Sequence, residues 1–267
     1  MHMTQPTLSR QLKLLEEELG VKLFQRGRHN IHLTEKGMLF RRRVQEIVNM
    51  ADRAKSELSQ WGEELIGEII IGCNESQSMN ELSELMMDFR EFHPLVKFTL
   101  RSGNNVEIRE WLEQGIIDIG LLVEPVEIEK LTYLRLKYKD QWGIIIHKDL
   151  DLACKTVIHS EDLLGKPLIT ITDVTIHSEL ANWSGKNAEM MMPIVHYNLL
   201  TNAIPLARIK AGVVICPRPV STYEDLKFIP FEPALKLGAR LAWVDNQVFS
   251  KASGTFIQYL KNYKTEM

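Results

Sequence analysis

Residues 4–37 read TQPTLSRQLKLLEEELGVKLFQRGRHNIHLTEKG, and this stretch decides how the first part of the chain folds. Its leucines recur at spacings of four, three and four residues: Leu8, Leu12, Leu15 and Leu19. That spacing predicts one apolar face of an α-helix, with Pro6 in its first turn and Gly20 at its end. Two short strand-like runs follow, at 21–26 and 30–33, and predict a β-hairpin before a second helix capped by Thr34.

The first predicted helix carries a second face of short polar and long basic side chains: Gln5, Thr7, Ser9, Arg10 and Lys13. Such side chains contact base edges and phosphates in a major groove, although a solvated surface helix shows the same pattern. The hairpin favours DNA binding, because Arg26 and Arg28 lie near its tip, where a wing contacts phosphates.

Charge is unevenly distributed along the 267 residues. Residues 1–62 hold eleven Lys or Arg and seven Asp or Glu, a balance of +4, whereas the rest of the chain carries −7, for a total of −3. This segregation predicts a basic head that binds a polyanion and an acidic body with a different role.

The head resembles the winged helix-turn-helix of the LysR-type transcriptional regulators. The resemblance rests on TQPTLSRQ at 4–11, LEEELGVKLF at 15–24 and LTEKG at 33–37. In that family further helices precede the recognition helix, whereas here Met1 falls just before it. We therefore expect residues 1–37 to form a winged helix-turn-helix without its N-terminal part. Double-stranded promoter DNA is the implied partner, bound weakly or not at all if the chain is truncated.

A long seam follows the head. Apolar residues recur at alternating spacings of four and three from Phe40 onward: Val44, Ile47, Ala51, Ala54, Leu58 and Trp61. This heptad pattern predicts a dimerising linker helix over 38–62, because the head is too small to bury so long a stripe. The resemblance implies the same helix, within a dimer or a tetramer.

From residue 67 the chain alternates strands and helices. The first three predicted strands, at 69–72, 96–100 and 118–123, are separated by amphipathic helices at 79–92 and 105–114. This succession is typical of a parallel sheet with crossover helices, and a similar alternation follows residue 142. Two successive α/β units predict an α/β fold with two lobes and a cleft between them.

This body resembles the effector-binding domain of LysR-type regulators, which is similar in fold to periplasmic solute-binding proteins. The matching phrases are FREFHPLVKFTLRSGNN, LEQGIIDIGLLVE, HSEDLLGKPLIT and IKAGVVICP. The predicted domain spans 67–267, with lobe I at 67–138 and 233–267 and lobe II at 139–232.

Ligands of open α/β sheets bind beyond the carboxyl ends of the strands, against helix N-termini. That rule selects hydroxyls, amides and backbone N–H groups suited to a small polar or anionic metabolite: Ser76, Gln77, Ser78, Gly103, Asn104, Asn105, Thr170, Thr172, Asn198 and Pro217. For the two serines, plain helix capping is an equal alternative. A Glu75 side chain that points into the cleft would disfavour a carboxylate effector.

Several classes of protein are excluded. The sequence holds no Gly-rich nucleotide loop, HExxH or GxSxG motif and no close Cys/His set, so we expect no catalytic residues, no metal and no cofactor. Three widely spaced cysteines fit reduced thiols in a cytoplasmic protein, and apolar runs are too short for a membrane span.

These patterns together predict a non-enzymatic, effector-responsive transcription regulator that forms homo-oligomers. The alternative is a solute-binding or effector domain that no longer binds DNA because its head is truncated.

Overall fold

A computed structural model describes residues 5–26, 31–41, 43–44, 47, 64–126, 131–245, 247 and 249–265. The chain divides into two compact units, 1–61 and 62–267, and each is described by itself.

The first unit begins with helix α1 (Gln5–Leu19) and continues into an antiparallel hairpin of β1 (Phe24–Arg26) and β2 (Ile31–Leu33). Residues 35–41 are helical. Gly20 has a positive φ of 66°, which glycine adopts without strain, so α1 ends where the sequence predicts.

Polar contacts fix the hairpin onto α1. The carboxylate of Glu16 accepts hydrogen bonds from the backbone N–H groups of Leu23 and Phe24, at 2.7 and 3.0 Å, and forms an ion pair with Lys22. The bonds from Lys22 and from those backbone groups lower the pKa of Glu16 to about 2. Thr34 Oγ1 accepts from Gly37 N at 2.9 Å, which confirms Thr34 as the cap of the next helix.

The second unit starts with three parallel strands joined by two helices: β3 (Gly67–Cys73), α2 (Ser78–Phe92), β4 (Val96–Ser102), α3 (Asn105–Glu113) and β5 (Ile119–Val123). These bounds confirm the strand–helix alternation read from the sequence. β3 is the middle strand, and all its core-facing residues from Ile69 to Cys73 are buried.

Two antiparallel strands complete this first sheet. β11 (Lys236–Val244) pairs with β5 on one side and with the first part of β6 (Leu131–His147) on the other. Helix α6 (Lys251–Thr265) returns to the core, where the rings of Phe89 and Phe256 lie 4.9 Å apart. Burial of two such rings contributes roughly 1.5–3 kcal/mol each to folding.

β6 continues into a second sheet. Its last residues pair with β9 (Val213–Pro217) and with β10 (Leu226–Pro230). Beyond β9 lie the parallel strands β7 (Leu168–Ile171) and β8 (Pro193–Tyr197), connected by helix α4 (Val174–Ser184). Helix α5 (Leu200–Arg208) links β8 to β9. Because β6 pairs with strands of both sheets, this one 17-residue strand belongs to both.

The sequence-based interpretation of the sheets needs two corrections. The strand predicted near 142 begins earlier, because from residue 131 the chain belongs to the long strand β6, whose Leu134 and Leu136 are buried. β10 was missed entirely. The sheets are therefore mixed: the parallel strands β4, β3 and β5 of the first are followed by antiparallel β11 and β6, and the parallel strands β8, β7 and β9 of the second by antiparallel β6 and β10.

Candidate functional site

A cleft of about 490 Å³, including its open mouth, lies at the carboxyl ends of the parallel strands of the second unit. Its lining residues come from both sheets: Asn74, Glu75, Gly103, Asn104, Asn105, Val123, Trp142, Ile171, Asp173, Ile176, Tyr197, Asn198, Leu200 and Pro217. Apolar walls with a few convergent polar groups are typical of a small-molecule site.

Five of the predicted effector residues line this cleft. Gly103, Asn104 and Asn105 follow β4, and a Cβ at Gly103 would lie 2.6 Å from the Trp111 ring, so the backbone approaches that ring closely. Asn198 and Pro217 lie on the second lobe.

Asn104 and Asn105 also have structural roles. Asn104 caps α3, where its side chain and that of Glu107 exchange hydrogen bonds of 2.9 Å with each other's backbone N–H groups. Asn105 is buried and makes two hydrogen bonds to the backbone of Val123, at 2.8 and 3.0 Å. The two amides thereby hold the rim of the cleft in place.

The serines at the start of α2 do not line the cleft. Ser76 is buried and its hydroxyl donates to Asp140 at 2.5 Å, while Gln77 N donates to the other oxygen of the same carboxylate at 2.7 Å. The Gln77 side chain donates to the carbonyl of Pro219 at 3.0 Å. Ser78 is fully buried. Ser76 Oγ also accepts from Ser78 N at 3.0 Å, so Ser76 and Gln77 anchor the start of α2, whereas the Ser78 hydroxyl has no hydrogen-bond partner among the described residues.

Asp140 lies on β6 beneath α2. Burial raises the pKa of its carboxyl, against the hydrogen bonds from Ser76 and Gln77, which act in the lowering direction. The N-terminus of α2 therefore receives a carboxylate of the chain itself.

The threonines predicted on β7 also lie outside the lining. Thr170 is buried, and its hydroxyl has no hydrogen-bond partner among the described residues. Thr172 is exposed, and its backbone N–H donates to Tyr197 O at 2.8 Å. Asp173 lines the cleft instead, and its carboxylate caps α4 by accepting from Thr175 N and Ile176 N at 2.9 and 3.3 Å.

Glu75 reaches across the cleft from the first lobe. Its carboxylate accepts a hydrogen bond from Leu200 N, at the start of α5, and another from the hydroxyl of Thr201 at 3.1 Å. The side chain therefore points into the cleft, the case in which the sequence predicts discrimination against carboxylate effectors.

Two residues of the lining each carry a buried polar atom that has no hydrogen-bond partner among the described residues. One is the indole Nε1 of Trp142, a residue that is 1% exposed, and the other is Oδ1 of Asn74. Buried polar groups are normally satisfied, so unpaired ones in a cleft are candidate ligand contacts. Asn74 directly follows β3, so the carboxyl-end rule also points to it, whereas Trp142 was missed.

The predicted DNA-contacting face of α1 is partly described. Thr7, Arg10 and Lys13 are exposed, and Lys13 forms a 3.6 Å ion pair with Glu17. The side chains of Gln5, Ser9 and Arg26 lie outside the described residues, as does all of Arg28.

Two of the six residues predicted to form the dimer contact, Val44 and Ile47, are described. Val44 and Ile47 are helical, and the Ile47 side chain is 64% exposed within the chain. Ala51, Ala54, Leu58 and Trp61 lie outside the described residues.

A helix with a hairpin wing, and a separate unit of two α/β sheets around a cleft, define the class of winged-helix regulators with a periplasmic-binding-protein-like domain. Family comparison agrees. The LysR substrate binding domain matches residues 62–264, and the bacterial regulatory helix-turn-helix protein of the lysR family matches residues 1–38. The chain belongs to the LysR family of transcriptional regulators.

Individual relatives match only part of the chain, at modest sequence identity. The chain is 32% identical over 171 residues to the uncharacterized HTH-type transcriptional regulator YvbU of Bacillus subtilis, over 63% of this chain and 57% of that protein. The matched stretches span less than two thirds of the length of this relative and of YtlI.

Two solved structures share the fold. Full-length CbnR in complex with its target DNA has a TM-score of 0.72 at 20% identity, covering 98% of this chain and 91% of CbnR. The effector-binding domain of QuiR in complex with shikimate has a TM-score of 0.64 at 21% identity, covering 76% and 99%.

The described part of the chain lacks two further features, a metal site and a membrane-spanning helix. No group of three or more His, Cys, Asp or Glu there could hold a metal ion. None of its helices is both long and apolar enough to cross a membrane.

Proposed function

We propose that this LysR-family regulator binds a small polar metabolite in the cleft and promoter DNA through its head. The observation that carries the proposal is the cleft itself, which lies at the carboxyl ends of two sets of parallel strands and is lined from both lobes. Similar folds are known in complex with shikimate, for QuiR, and with target DNA, for CbnR.

DNA binding is assigned to the basic head. Arg10, Lys13, Arg26 and Arg28 contact phosphates, and Gln5, Thr7 and Ser9 read or position bases. The exposure of Arg10 and Lys13 and the +4 balance of residues 1–62 support this assignment.

The two activities are coupled through lobe geometry. β6 runs through both sheets, so a ligand held between them changes the relative angle of the lobes. In a dimer or tetramer joined through the linker helix over 38–62, that change shifts the spacing of paired recognition helices along DNA.

The test is a titration with duplex DNA followed by fluorescence anisotropy, performed on this 267-residue chain and on a version extended upstream. We expect Arg10→Ala to weaken binding and to reduce the slope of log K against log salt by about one, because one phosphate contact is lost. Lys166→Ala, an exposed charge of the second unit, is the matched control and should change neither. An unchanged slope for Arg10→Ala would contradict a phosphate contact, and no duplex binding by either version would favour the solute-binding alternative.

A further inference from the structure

Four helix N-termini belong to the loops around the cleft, and each receives a side chain of the protein itself. α2 is served by Asp140, α3 by Asn104, α4 by Asp173 and α5 by Glu75. A helix N-terminus is the usual place for an anion, because its N–H groups are unpaired and its dipole is positive. At three of these four ends a carboxylate already takes that place.

The charge of the lining points the same way. Among the described residues that line the cleft, Glu75 and Asp173 are acidic and none is Lys, Arg or His. Two arginines close in sequence to the lining residues Gly103 and Pro217 stack on aromatic rings: Arg101 on Trp111 at 4.1 Å and Arg218 on Phe228 at 4.7 Å. Each helix end contributes about half a positive charge, so two full carboxylates leave the cleft neutral to negative.

The unpaired atoms specify which hydrogen bonds are left for a ligand. Trp142 Nε1 is a donor and needs an acceptor, whereas Asn74 Oδ1 is an acceptor and needs a donor. The carboxylate of Glu75 spans the two lobes and adds a second acceptor near the start of α5. Two of these three groups call for a ligand that donates hydrogen bonds.

We infer that the effector is a neutral or cationic hydrogen-bond donor, such as an alcohol or amine, and that Glu75 is the residue that excludes carboxylates. This inference rests on the proposed function of the cleft. Such a ligand donates to Glu75 and Asn74 and accepts from Trp142 Nε1. A carboxylate would instead face Glu75 and Asp173 with no cation in the lining to offset them.

The test uses three probes that share a 3-hydroxyphenyl ring and differ only in carrying an amine, an alcohol or a carboxylate: 3-hydroxybenzylamine, 3-hydroxybenzyl alcohol and 3-hydroxybenzoate. Binding to the full chain is followed by the indole N–H signals in ¹⁵N-labelled protein, with the Trp142 signal assigned by its loss in Trp142→Phe. We expect the amine and the alcohol to shift that signal with dissociation constants at least tenfold lower than that of the benzoate.

Glu75→Gln is the decisive variant, since its amide oxygen still accepts from Leu200 N and the fold is kept. This variant should bind the amine about five- to tenfold more weakly, because one charged contact is removed. The ratio of the benzoate to the amine dissociation constant should fall by the same factor or more. Glu84→Gln, an exposed carboxylate on α2, is the matched control and should leave the ratio unchanged.

Three outcomes overturn the inference: benzoate binding as tightly as the amine, a ratio unaffected by Glu75→Gln, or a Trp142 signal unmoved by millimolar amine and alcohol. None of these measurements involves DNA. A chain that prefers amines but binds no duplex therefore upholds the inference while the proposed DNA-binding function fails.

Discussion

At the scale of single residues, the carboxylates that accept from helix N-termini around the cleft also help to hold the fold together. Asp140 shows this most clearly, because it is 1% exposed and is held by the Ser76 hydroxyl and Gln77 N. Its folded-state pKa is raised by burial above the ordinary value of 3.8. The native state therefore binds this proton more tightly than the unfolded state does, and stability falls as the pH rises from about 3.8 through the raised pKa.

Asp140→Asn should remove that dependence. The amide resembles the protonated acid, so the variant is expected to gain stability relative to the wild type as the pH rises from 3.5 to 7. Urea denaturation at several pH values measures the difference in the free energy of unfolding. Ser76→Ala removes a hydrogen bond that opposes the raised pKa and should steepen the wild-type dependence. A difference between Asp140→Asn and wild type that is constant with pH would contradict the burial-driven shift.

At the scale of elements, the long strand β6 connects the two sheets of the second unit. At Gly143 it packs so closely against β10 that an added Cβ would lie 2.2 Å from the carbonyl oxygen of Ile229. That neighbour is backbone and yields only if the strands separate. We therefore expect Gly143→Ala to lower the free energy of unfolding by about 1–3 kcal/mol, the usual cost of overpacking.

Gly254 in α6 is the matched control for this substitution. A Cβ there would meet only the Phe249 Cβ at 3.9 Å, and alanine is the better helix former, so Gly254→Ala should be neutral or stabilising by up to about 1 kcal/mol. Denaturant unfolding of both variants checks the pair. Equal effects of the two substitutions would show that the contact with Ile229 is not the cause.

The elements differ in how well the sequence predicts them. Buried parallel strands such as β3 and β5 form continuous apolar runs between helical segments, and their positions were predicted correctly. The first half of β6 was missed, although Leu134 and Leu136 alternate with the charged Arg135 and Lys137 in the period of a half-exposed strand. β10 is a short strand that pairs with residues of β6 far away in the sequence, and a local sequence pattern does not reveal that pairing.

Site prediction shows the same division. The carboxyl-end rule located Gly103, Asn104 and Asn105 correctly at the cleft, because it depends only on strand order. It could not separate a serine that faces the cleft from one that faces Asp140, since that depends on a partner 64 residues away. Trp142 and Glu75 likewise acquire their positions only when the two lobes come together.

At the scale of the whole molecule, charge and exposed apolar surface are unevenly distributed along the chain. The head carries +4 and the remainder −7, so the part proposed to bind DNA and the part proposed to bind a metabolite differ in the sign of their charge. The heptad seam that begins at Phe40 connects them in sequence. Its Ile47 is 64% exposed within the chain, which is unfavourable for an isoleucine unless a second copy covers it.

Ile47→Glu should therefore weaken self-association. Each copy loses the burial of one isoleucine, worth roughly 1.5–3 kcal/mol, and two carboxylates are brought together across the seam. We expect the dissociation constant of the dimer to rise at least tenfold, measured by sedimentation equilibrium as a shift from twice 30.8 kDa toward 30.8 kDa. Met87→Glu, which also replaces an exposed apolar side chain but lies on α2 of the second unit, is the control and should leave the mass distribution unchanged. If the Ile47→Glu dimer has the same dissociation constant as this control, self-association does not depend on the seam at Ile47. The spacing of the recognition helices must then be set by contacts of the second unit.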